Sequence, residues 1–457
     1  MSVAPAGLLG DLRGAGPVET DPEVLEAYRR DHAAPGLLEV GMPAALVRPR
    51  TTSEVQAAVR AAAGHGVPVV PRGAGSGLSG GANAIDGCLV VSLERMTSIL
   101  AVDDADLTAT VQAGVINADL GRAAAAERLW YAPDPASWEF STVGGNVATN
   151  AGGLCCVKYG VTRDSLLGLE VVLADGRAVR LGRRTRKGVA GYDLVGLMCG
   201  SEGTLGIVTE ATVRLRPPPA EAATLAASFP TLRGAGEAIA RIAREQRPSL
   251  LELMDALTIR AVEAFQPQDL DPDAAAMVFA RADDGRAESL AAVAAMERIC
   301  EEAGASLVVT SDEEAEGRML MAARRLAFTA LEQRGATLLD DVGVPLGAIP
   351  ALLDGVARIA SDSGVLIGTF GHAGDGNMHP TVVYDPSDPG EVERARRAFE
   401  AILTLALALG GTITGEHGVG LLKRPYLHDE LGDAHDLHRA IKTALDPAGV
   451  FNPGKAI

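Results

Sequence analysis

The sequence has few cysteines, and their spacing excludes a bound iron–sulfur cluster. The five residues include no Cys-x-x-Cys run of the kind that ligates such a cluster: Cys88, Cys155, Cys156, Cys199 and Cys300. Their odd number and scattered spacing indicate a reducing compartment. The adjacent pair Cys155–Cys156 has two interpretations, a redox-active pair or two small buried apolar residues, and we favour the second.

Basic residues and long apolar runs are also scarce. The 41 basic residues face 59 acidic ones, for a net charge of −18, which argues against a nucleic-acid partner although a local site can still bind a small anion. The longest apolar run, Ala401 to Leu409, is far short of the ~20 residues of a membrane-spanning helix. The segment Met1–Gly7 lacks the basic start of a signal peptide. We therefore expect a cytoplasmic protein without a transmembrane segment, and peripheral docking at the inner membrane stays open.

Length and composition predict a globular protein of two or three domains, at roughly 150 residues each. The run Pro217–Pro219 interrupts any regular element, and we place a domain boundary there. Beyond it, alanine-rich helices alternate with short strands, which predicts an α+β domain with an antiparallel sheet. The predicted helices are Gly234–Gln246, Ala287–Ala303 and Glu391–Leu409, and two of the strands are Ala276–Ala280 and Ser306–Val309.

Before that boundary, glycine-rich runs alternate with strands. The first run, Arg72–Gly81, lies between the predicted strands Val67–Pro71 and Cys88–Leu93. Consecutive backbone N–H groups in such a loop can bind a phosphate. A Rossmann fold requires a helix directly after this loop, and none is predicted here. The loop also lacks the lysine of a Walker motif. The loop is thus predicted to bind phosphate in another fold, and a flexible linker is the alternative.

Other local signals mark helices and hairpins of the first half. The capping-box spacing of Thr51 and Glu54 predicts a helix start. Asp103-Asp104 and Asp175-Gly176 predict hairpin turns. Further predicted features are helices at Pro22–Arg30 and Asn117–Trp130, a strand at Thr209–Leu215, and glycine-rich runs at Ser141–Gly153 and Gly200–Val208.

Two polar, glycine-rich runs lie in the second half. Gly368–Pro380 carries His372 and His379, and a later run carries Glu416 and His417. Histidine is the commonest metal ligand and a frequent proton carrier near neutral pH. The His-x6-His spacing is a weak metal signal by itself, so two surface-loop histidines remain the alternative. In the same run Asp375 is predicted to form a turn rather than to act as an acid or base.

Six motifs in this order resemble the FAD-linked hydroxy-acid oxidoreductases of the vanillyl-alcohol-oxidase, or PCMH-type, superfamily. The likeness extends from about Ala44 to Lys455. Within the superfamily it points to the group that holds the flavin subunit of glycolate oxidase, D-lactate dehydrogenase and D-2-hydroxyglutarate dehydrogenase. The motifs are PRGAGSGLSGGA, STVGGNVATNAGG, GSEGTLGIVT, GHAGDGNMHP, GEHGVG and LDPAGVFNPGK.

The resemblance implies an α+β chain with a lead-in and two domains. Residues 1–41 would be the lead-in, and residues 42–216 an FAD-binding domain of two α/β subdomains. Residues 217–457 would form an α+β substrate-binding cap with an antiparallel sheet, whose tail from about residue 412 returns to the flavin. Because the first loop has no histidine, the FAD is expected to be noncovalent. The residues implied to contact it are Arg72, Gly73, Ala74, Gly75, Ser76, Gly77, Leu78, Ser79, Pro135, Ser141, Gly144, Gly145, Asn146, Thr149, Gly206, Ile207 and Val208.

The same resemblance implies a metal-assisted oxidation of a small 2-hydroxy acid. Carried over from the relatives, His372, His379 and Glu416 would ligate a divalent metal such as Zn or Mn. Two imidazoles and one carboxylate leave positions at which a hydroxy acid can chelate. By the same likeness His417 would be the general base. The implied substrate-binding residues are Asn377 and Arg324, with Arg325 as the alternative to the latter.

One departure from the hydroxyglutarate-specific relatives concerns the substrate. Leu339 and Phe328 stand where those relatives have a lysine and a threonine, so a second substrate carboxylate would lack partners. D-lactate or glycolate is therefore favoured over D-2-hydroxyglutarate. Because this chain has no cysteine cluster to pass electrons on, a quinone, a cytochrome or a separate electron-accepting subunit is the expected acceptor. Two rivals remain, a flavin enzyme of other chemistry and a metal-binding scaffold subunit without catalysis.

Overall fold

Three β-sheets organise the computed structural model, which describes residue 5 and residues 7–185 and 187–457. The strands of these residues, in chain order, are β1 Val18–Glu19, β2 Ala45–Val47, β3 Val69–Arg72, β4 Leu89–Ser92, β5 Ile99–Asp103, β6 Thr108–Gln112, β7 Leu166–Val172, β8 Ala178–Gly182, β9 Ile207–Arg214, β10 Ala223–Phe229, β11 Leu250–Asp255, β12 Ala276–Ala282, β13 Leu307–Ser311, β14 Ala336–Leu339, β15 Val342–Gly343, β16 Leu366–His372 and β17 Asn377–Tyr384.

Helices pack against these sheets. In chain order they are α1 Leu8–Asp11, α2 Pro22–Glu26, α3 Thr52–Gly64, α4 Asn117–Ala126, α5 Val143–Thr149, α6 Cys156–Tyr159, α7 Thr162–Ser165, α8 Leu194–Met198, α9 Leu232–Glu245, α10 Ala256–Phe265, α11 Arg286–Glu302, α12 Glu314–Glu332, α13 Ile349–Ser363, α14 Pro389–Ala408, α15 Leu427–Leu431 and α16 Ala434–Leu445. The three long alanine-rich helices of the second half are confirmed as α9, α11 and α14, with small shifts at their ends.

The first sheet has the strand order β1-β2-β4-β3, and the first glycine-rich loop directly follows β3, which pairs in parallel with β4. All four residues of β4 are buried, as expected of a strand covered on both faces. The predicted helix start is confirmed, because Thr51 caps α3 by accepting a hydrogen bond from the backbone N–H of Glu54. The lead-in joins this unit, since Leu8 and Leu12 lie in its core and β1 pairs with β2.

The second sheet is antiparallel, in the order β5-β6-β9-β7-β8. Both predicted hairpins are confirmed, because β5 pairs with β6 and β7 pairs with β8 across the expected turns. Strand β9 alternates buried and half-buried residues, so one of its faces packs on the core.

Two helical predictions were too long, and one helix inside a glycine-rich run was missed. The helix starting at Asn117 ends at Ala126 rather than Trp130, because Arg128 adopts a left-handed backbone with φ 57°. The helix at Pro22 likewise ends at Glu26. Helix α5 lies inside the second glycine-rich run, where Thr142 caps it and buried Val143 and Val147 anchor it. Packing there outweighs the low helix propensity of two glycines.

The third sheet confirms the antiparallel α+β architecture predicted for the second half. Its eight strands run β13-β10-β12-β11-β16-β17-β14, with β15 paired to β17. Strands β16 and β17 form a hairpin whose turn is the short 3₁₀ segment Ala373–Asp375. The run Gly368–Pro380 is therefore a hairpin of the sheet rather than a loop, and it places His372 and His379 at fixed points of adjacent strands.

The C-terminal tail returns to the first half of the chain. Phe451 is fully buried in the core of the first sheet and bridges Val69. The Asn452 side-chain amide donates hydrogen bonds to the carbonyl oxygens of Gly81 and Glu202. These contacts tie the last residues to the glycine-rich loops.

The adjacent cysteines are not both buried, contrary to our favoured interpretation. Cys155 and Cys156 are each half-buried, and all five cysteines are free. Burial nevertheless raises the pKa of both thiols above the ordinary value, which disfavours the reactive thiolate. Among the described residues, no helix is both long enough and apolar enough to span a bilayer.

Candidate active site

The first glycine-rich loop offers a run of unpaired backbone donors to a cavity. Each residue from Gly73 to Ser79 lines this cavity. The backbone N–H groups of Gly73 to Ser79 donate no hydrogen bond to any of the described residues. Such a concave run of donors binds an anion such as a pyrophosphate, so this loop fits the predicted FAD and is not a linker.

The shape of that loop depends on Arg72 and Gly75. The Arg72 guanidinium folds beneath the loop and donates a hydrogen bond to the carbonyl of Arg30 at 2.8 Å. Gly75 has φ +74°, and a Cβ there would collide with that guanidinium. A buried positive charge therefore lies directly under the donors that face the cavity.

The cavity wall combines all three glycine-rich runs of the first half. Of the predicted FAD contacts, Ser141 alone is absent from this wall, and its neighbour Thr142 lies there instead. Asn146 faces the cavity, and its amide nitrogen is buried without a partner among the described residues. That free donor suits a polar edge of a bound flavin. The predicted residues on the wall are Arg72, Gly73, Ala74, Gly75, Ser76, Gly77, Leu78, Ser79, Pro135, Gly144, Gly145, Asn146, Thr149, Gly206, Ile207 and Val208.

On the cavity wall the Glu416 carboxylate is surrounded by three imidazoles. Its Oε1 lies 3.1 Å from Nε2 of His372, 3.3 Å from Nε2 of His379 and 3.6 Å from Nε2 of His417. Glu416 and His417 also line the cavity. Four residues from strands β16 and β17 and from a distant segment thus converge, as expected of a metal-binding set.

A second carboxylate, Asp341, holds the segment that carries Glu416 and His417. Its Oδ2 accepts hydrogen bonds from the backbone N–H groups of Glu416 and His417, at 3.0 and 2.8 Å, and from the Thr414 hydroxyl. Asp341 can be grouped with His379, Glu416 and His417 as a ligand set, since one ligand atom from each lies within 4.8 Å of the others. Because its Oδ2 accepts these three hydrogen bonds and its Oδ1 accepts one from Asn377, we assign Asp341 to orienting this segment and retain His372 beside Glu416.

Burial and mutual charge set the protonation of this cluster. Burial lowers the pKa of His417 to about 4, against the opposing charge of Asp341. Burial also disfavours charge on His372, but Glu252 and Glu416 outweigh it and raise the pKa of His372 well above its usual value. His417 is therefore neutral at neutral pH, as a general base requires.

The predicted substrate arginine is buried rather than solvated. Arg324 is 6% exposed, whereas Arg325 is exposed, so Arg324 is the arginine directed into the protein. Its Nη2 lies 2.7 Å from Glu252 Oε2, and its guanidinium lies 4.8 Å from the centre of the Phe370 ring. The Nε of Arg324 is buried and has no partner among the described residues, and Arg324 is not one of the residues that line the cavity.

Asn377 is already engaged by the protein. Its amide nitrogen donates hydrogen bonds to Asp341 Oδ1 at 2.8 Å and to the carbonyl of Val342 at 3.1 Å. An amide nitrogen has two protons, so no donor remains for a substrate carboxylate. The structure thus gives Asn377 a part in holding Asp341.

Asp375 occupies the predicted turn between β16 and β17, where it ends the 3₁₀ segment. Its side chain is exposed in the folded chain, yet the surrounding protein still raises its pKa to about 7 by desolvation. The structure therefore places Asp375 in the predicted turn.

Glu202 is a site residue that sequence reasoning missed. It lines the cavity, and its two carboxylate oxygens accept hydrogen bonds from the backbone N–H groups of Val419 and Gly420, at 2.7 and 2.8 Å. It therefore fastens the segment after His417 to the first half of the chain. Its position inside the third glycine-rich run was the available signal, because a lone charged residue among glycines of a ligand loop is unusual.

Glu202 should give the protein a distinct pH dependence. Burial raises its pKa to about 7, against an ordinary 4.5. Its stabilising contribution is complete below pH 4.5 and is lost as the pH rises through 7, because the folded state holds the proton more tightly. The free energy of unfolding of wild type relative to Glu202→Gln should fall by about 3 kcal/mol over that window.

Denaturant unfolding at a series of pH values measures this difference. The exposed Glu139→Gln variant is the matched control and should follow wild type at every pH. Parallel pH curves for wild type and Glu202→Gln would contradict the assignment.

Comparison with known proteins identifies the family. Residues 218–456 match the family of FAD linked oxidases, C-terminal domain, and residues 43–182 match the FAD binding domain family. The chain is 44% identical to the glycolate oxidase subunit GlcD of Bacillus subtilis, over 91% of this chain and 89% of that protein. It belongs to the FAD-linked oxidases. It is also 35% identical to a D-lactate dehydrogenase of Anaerostipes hadrus, over 95% of this chain and 93% of that protein.

Solved structures of the PCMH type share the fold of this FAD-linked oxidase. The p-cresol methylhydroxylase structure superposes with a TM-score of 0.83 at 17% identity, covering 99% of this chain and 97% of that one. At that identity the likeness concerns the fold alone. The oxidase is a flavoprotein oxidoreductase, and its phosphate-binding loop and open donor at Asn146 are consistent with that cofactor.

Proposed function

We propose that this FAD-linked oxidase dehydrogenates a small D-2-hydroxy acid, D-lactate or glycolate, to the 2-oxo acid. The observation that supports the proposal most directly is the position of Glu416, which lines the cofactor cavity and whose Oε1 lies within 3.6 Å of three imidazole nitrogens. A carboxylate–imidazole set beside a flavin cavity suits an alcohol that must lose a proton and a hydride. The names of the relatives, a glycolate oxidase subunit and a D-lactate dehydrogenase, support the same class of substrate.

The residues of the cluster fit a divalent cation, Zn or Mn, held by His372, His379 and Glu416. The Nε2 atoms of both histidines face the same carboxylate oxygen, at 3.1 and 3.3 Å, and a nitrogen–oxygen donor set of this kind is usual for such ions. When bound, FAD supplies the two-electron acceptor and the cation supplies positive charge that favours loss of the hydroxyl proton.

His417 is proposed to take the hydroxyl proton at Nε2. It lines the cavity, and burial lowers its pKa to about 4, so the imidazole is neutral and can accept a proton. Its backbone N–H donates to Asp341, which fixes the segment. The substrate then loses this proton and its α-hydrogen with two electrons, which balances the conversion of a hydroxy acid into a 2-oxo acid.

Arg324 is proposed to hold the substrate carboxylate, with Asn377 reduced to a supporting part. Arg324 keeps an unpartnered buried Nε, whereas the Asn377 amide protons are donated to Asp341 and Val342. Phe328 and Leu339 pack in one apolar cluster with buried Phe370. A second carboxylate placed there would be desolvated without a partner, which supports a monocarboxylate substrate.

Electrons are proposed to leave the flavin for a quinone, a cytochrome or a separate subunit. The five cysteines are free and include no Cys-x-x-Cys run, so they offer no onward cluster. The relative from Bacillus subtilis is named a subunit, which supports an electron-accepting partner. A cytoplasmic protein that docks peripherally at the inner membrane is the arrangement we propose.

Anaerobic stopped-flow reduction of the FAD-loaded protein tests the function. Glycolate, D-lactate, L-lactate and D-2-hydroxyglutarate are mixed separately with the enzyme, and flavin bleaching is followed. We expect rapid bleaching by glycolate or D-lactate. Preference for D-2-hydroxyglutarate would contradict the monocarboxylate assignment, and bleaching by none of the four would contradict the whole proposal.

A further inference from the structure

Glu252 connects two parts of the candidate site that lie on different elements. It is fully buried in strand β11, and its two carboxylate oxygens face different partners. Oε1 lies 2.9 Å from Nδ1 of His372, and Oε2 lies 2.7 Å from Nη2 of Arg324. One carboxylate thus contacts both a proposed metal ligand and the proposed substrate arginine.

The position of Glu252 in its strand shows that the charge serves these two contacts. Its neighbours Leu250, Leu251, Leu253 and Met254 are all buried apolar residues of the sheet. A buried carboxylate costs several kcal/mol unless it is paired and hydrogen-bonded. An apolar residue would pack here without that cost, so stability of the sheet alone does not explain a glutamate.

Strand pairing fixes the geometry of the contact to His372. Strand β11 pairs with β16 through Leu253↔Gly371 and Met254↔Phe370. The residue before Leu253 therefore lies beside the end of β16, where His372 stands. This register aims the Glu252 side chain at the ring by backbone geometry rather than by loop conformation.

We propose that Glu252 is a positioning residue that orients His372 and Arg324 together. A carboxylate accepts hydrogen bonds only, so the contact keeps a proton on Nδ1 of His372 and directs Nε2 toward the cation. The same carboxylate pins one edge of the Arg324 guanidinium, while the Phe370 ring lies 4.8 Å from its centre. The guanidinium is then held in a fixed orientation. The inference rests on the proposed function, because it assigns the support of that site.

Two substitutions separate the roles of shape and charge. Glu252→Gln keeps an acceptor for Nδ1 of His372 but removes the charge that pairs with Arg324. Glu252→Ala removes both. The matched control is Asp255→Asn in the same strand, because Asp255 is a half-buried carboxylate that caps α10 through Thr258 and contacts no proposed site residue.

The first measurement is Zn²⁺ affinity, by competition with a chromophoric chelator on FAD-loaded protein. We expect affinity to fall about 10- to 100-fold in Glu252→Ala, less in Glu252→Gln, and not in Asp255→Asn. The second is KM for the substrate found by stopped flow, which should rise in both Glu252 variants. Flavin content and circular dichroism establish that each variant is folded.

The outcomes show separately whether the inference about Glu252 fails or the proposed function fails. If wild type binds Zn²⁺ and folded Glu252→Gln matches it in both affinity and KM, Glu252 does not position the site and only this inference fails. Unequal effects, with Gln nearer to wild type in affinity than Ala, support it. A wild-type protein that binds no divalent ion overturns the proposed metal site and this inference together.

Discussion

Replacing His417 by glutamine is expected to slow flavin reduction by about 10²- to 10⁴-fold while FAD stays bound. His417 lines the cofactor cavity beside Glu416, and its Nε2 lies 3.6 Å from Glu416 Oε1. Glutamine has similar bulk and hydrogen-bonding groups but no basic nitrogen. The rate of proton removal should therefore fall without loss of the segment's fold.

The backbone at this position supports that separation of effects. The N–H of His417 donates to Asp341 Oδ2 at 2.8 Å, and the Ser79 hydroxyl donates to the carbonyl of Gly418, also at 2.8 Å. Neither contact involves the imidazole, so both persist in the variant.

Single-turnover reduction by the preferred hydroxy acid measures the effect. His435→Gln is the matched control, because that histidine lies at the start of α16 beside His428 and away from the cavity wall. Its reduction rate should equal that of wild type. A His417→Gln enzyme that reduces its flavin within about threefold of wild type would refute the general-base role.

Replacing His379 by glutamine is expected to remove most of the bound divalent cation and to slow flavin reduction by about 10³-fold. His379 is buried in β17, and its Nε2 lies 3.3 Å from Glu416 Oε1. Its ring also stacks on His417, at 5.0 Å between centroids. Loss of this imidazole removes one donor of the proposed metal set and leaves the other donors in place.

Chelator treatment distinguishes a metal ligand from a packing residue. If His379 holds the cation, removing metal from wild type should lower its rate of flavin reduction to that of His379→Gln. Removing metal from the variant should change its rate no further, because both perturbations act on the same interaction. Equal metal content in wild type and His379→Gln, measured by elemental analysis, would rule out the ligand role. His428→Gln serves as the control and should retain both metal and rate.

Much of the fold followed from local chemistry. The capping pair Thr51 and Glu54 located α3, and the turn at Asp175-Gly176 located the hairpin of β7 and β8. These features depend on a few adjacent residues, so the linear sequence contains them. Helix α5 escaped prediction because its stability comes from packing of Val143 and Val147, which outweighs the glycines between them.

The sequence also predicted those parts of the site whose residues lie close together along the chain. The glycine-rich loop after β3 and the pairs His372/His379 and Glu416/His417 were visible as motifs. Their residue types limit them to phosphate binding, metal binding and proton transfer.

What joins those runs was decided only by the tertiary structure. Glu252, Asp341 and Glu202 each bind a site segment that lies 75 to 218 residues away in the sequence. A buried carboxylate acquires its function from the donors that the fold brings to it, and neither its neighbours nor its spacing reveals those donors. The sequence thus limited the chemistry open to this oxidase, and strand pairing and burial decided that His417 is neutral, which arginine faces inward and which carboxylates hold the site segments in place.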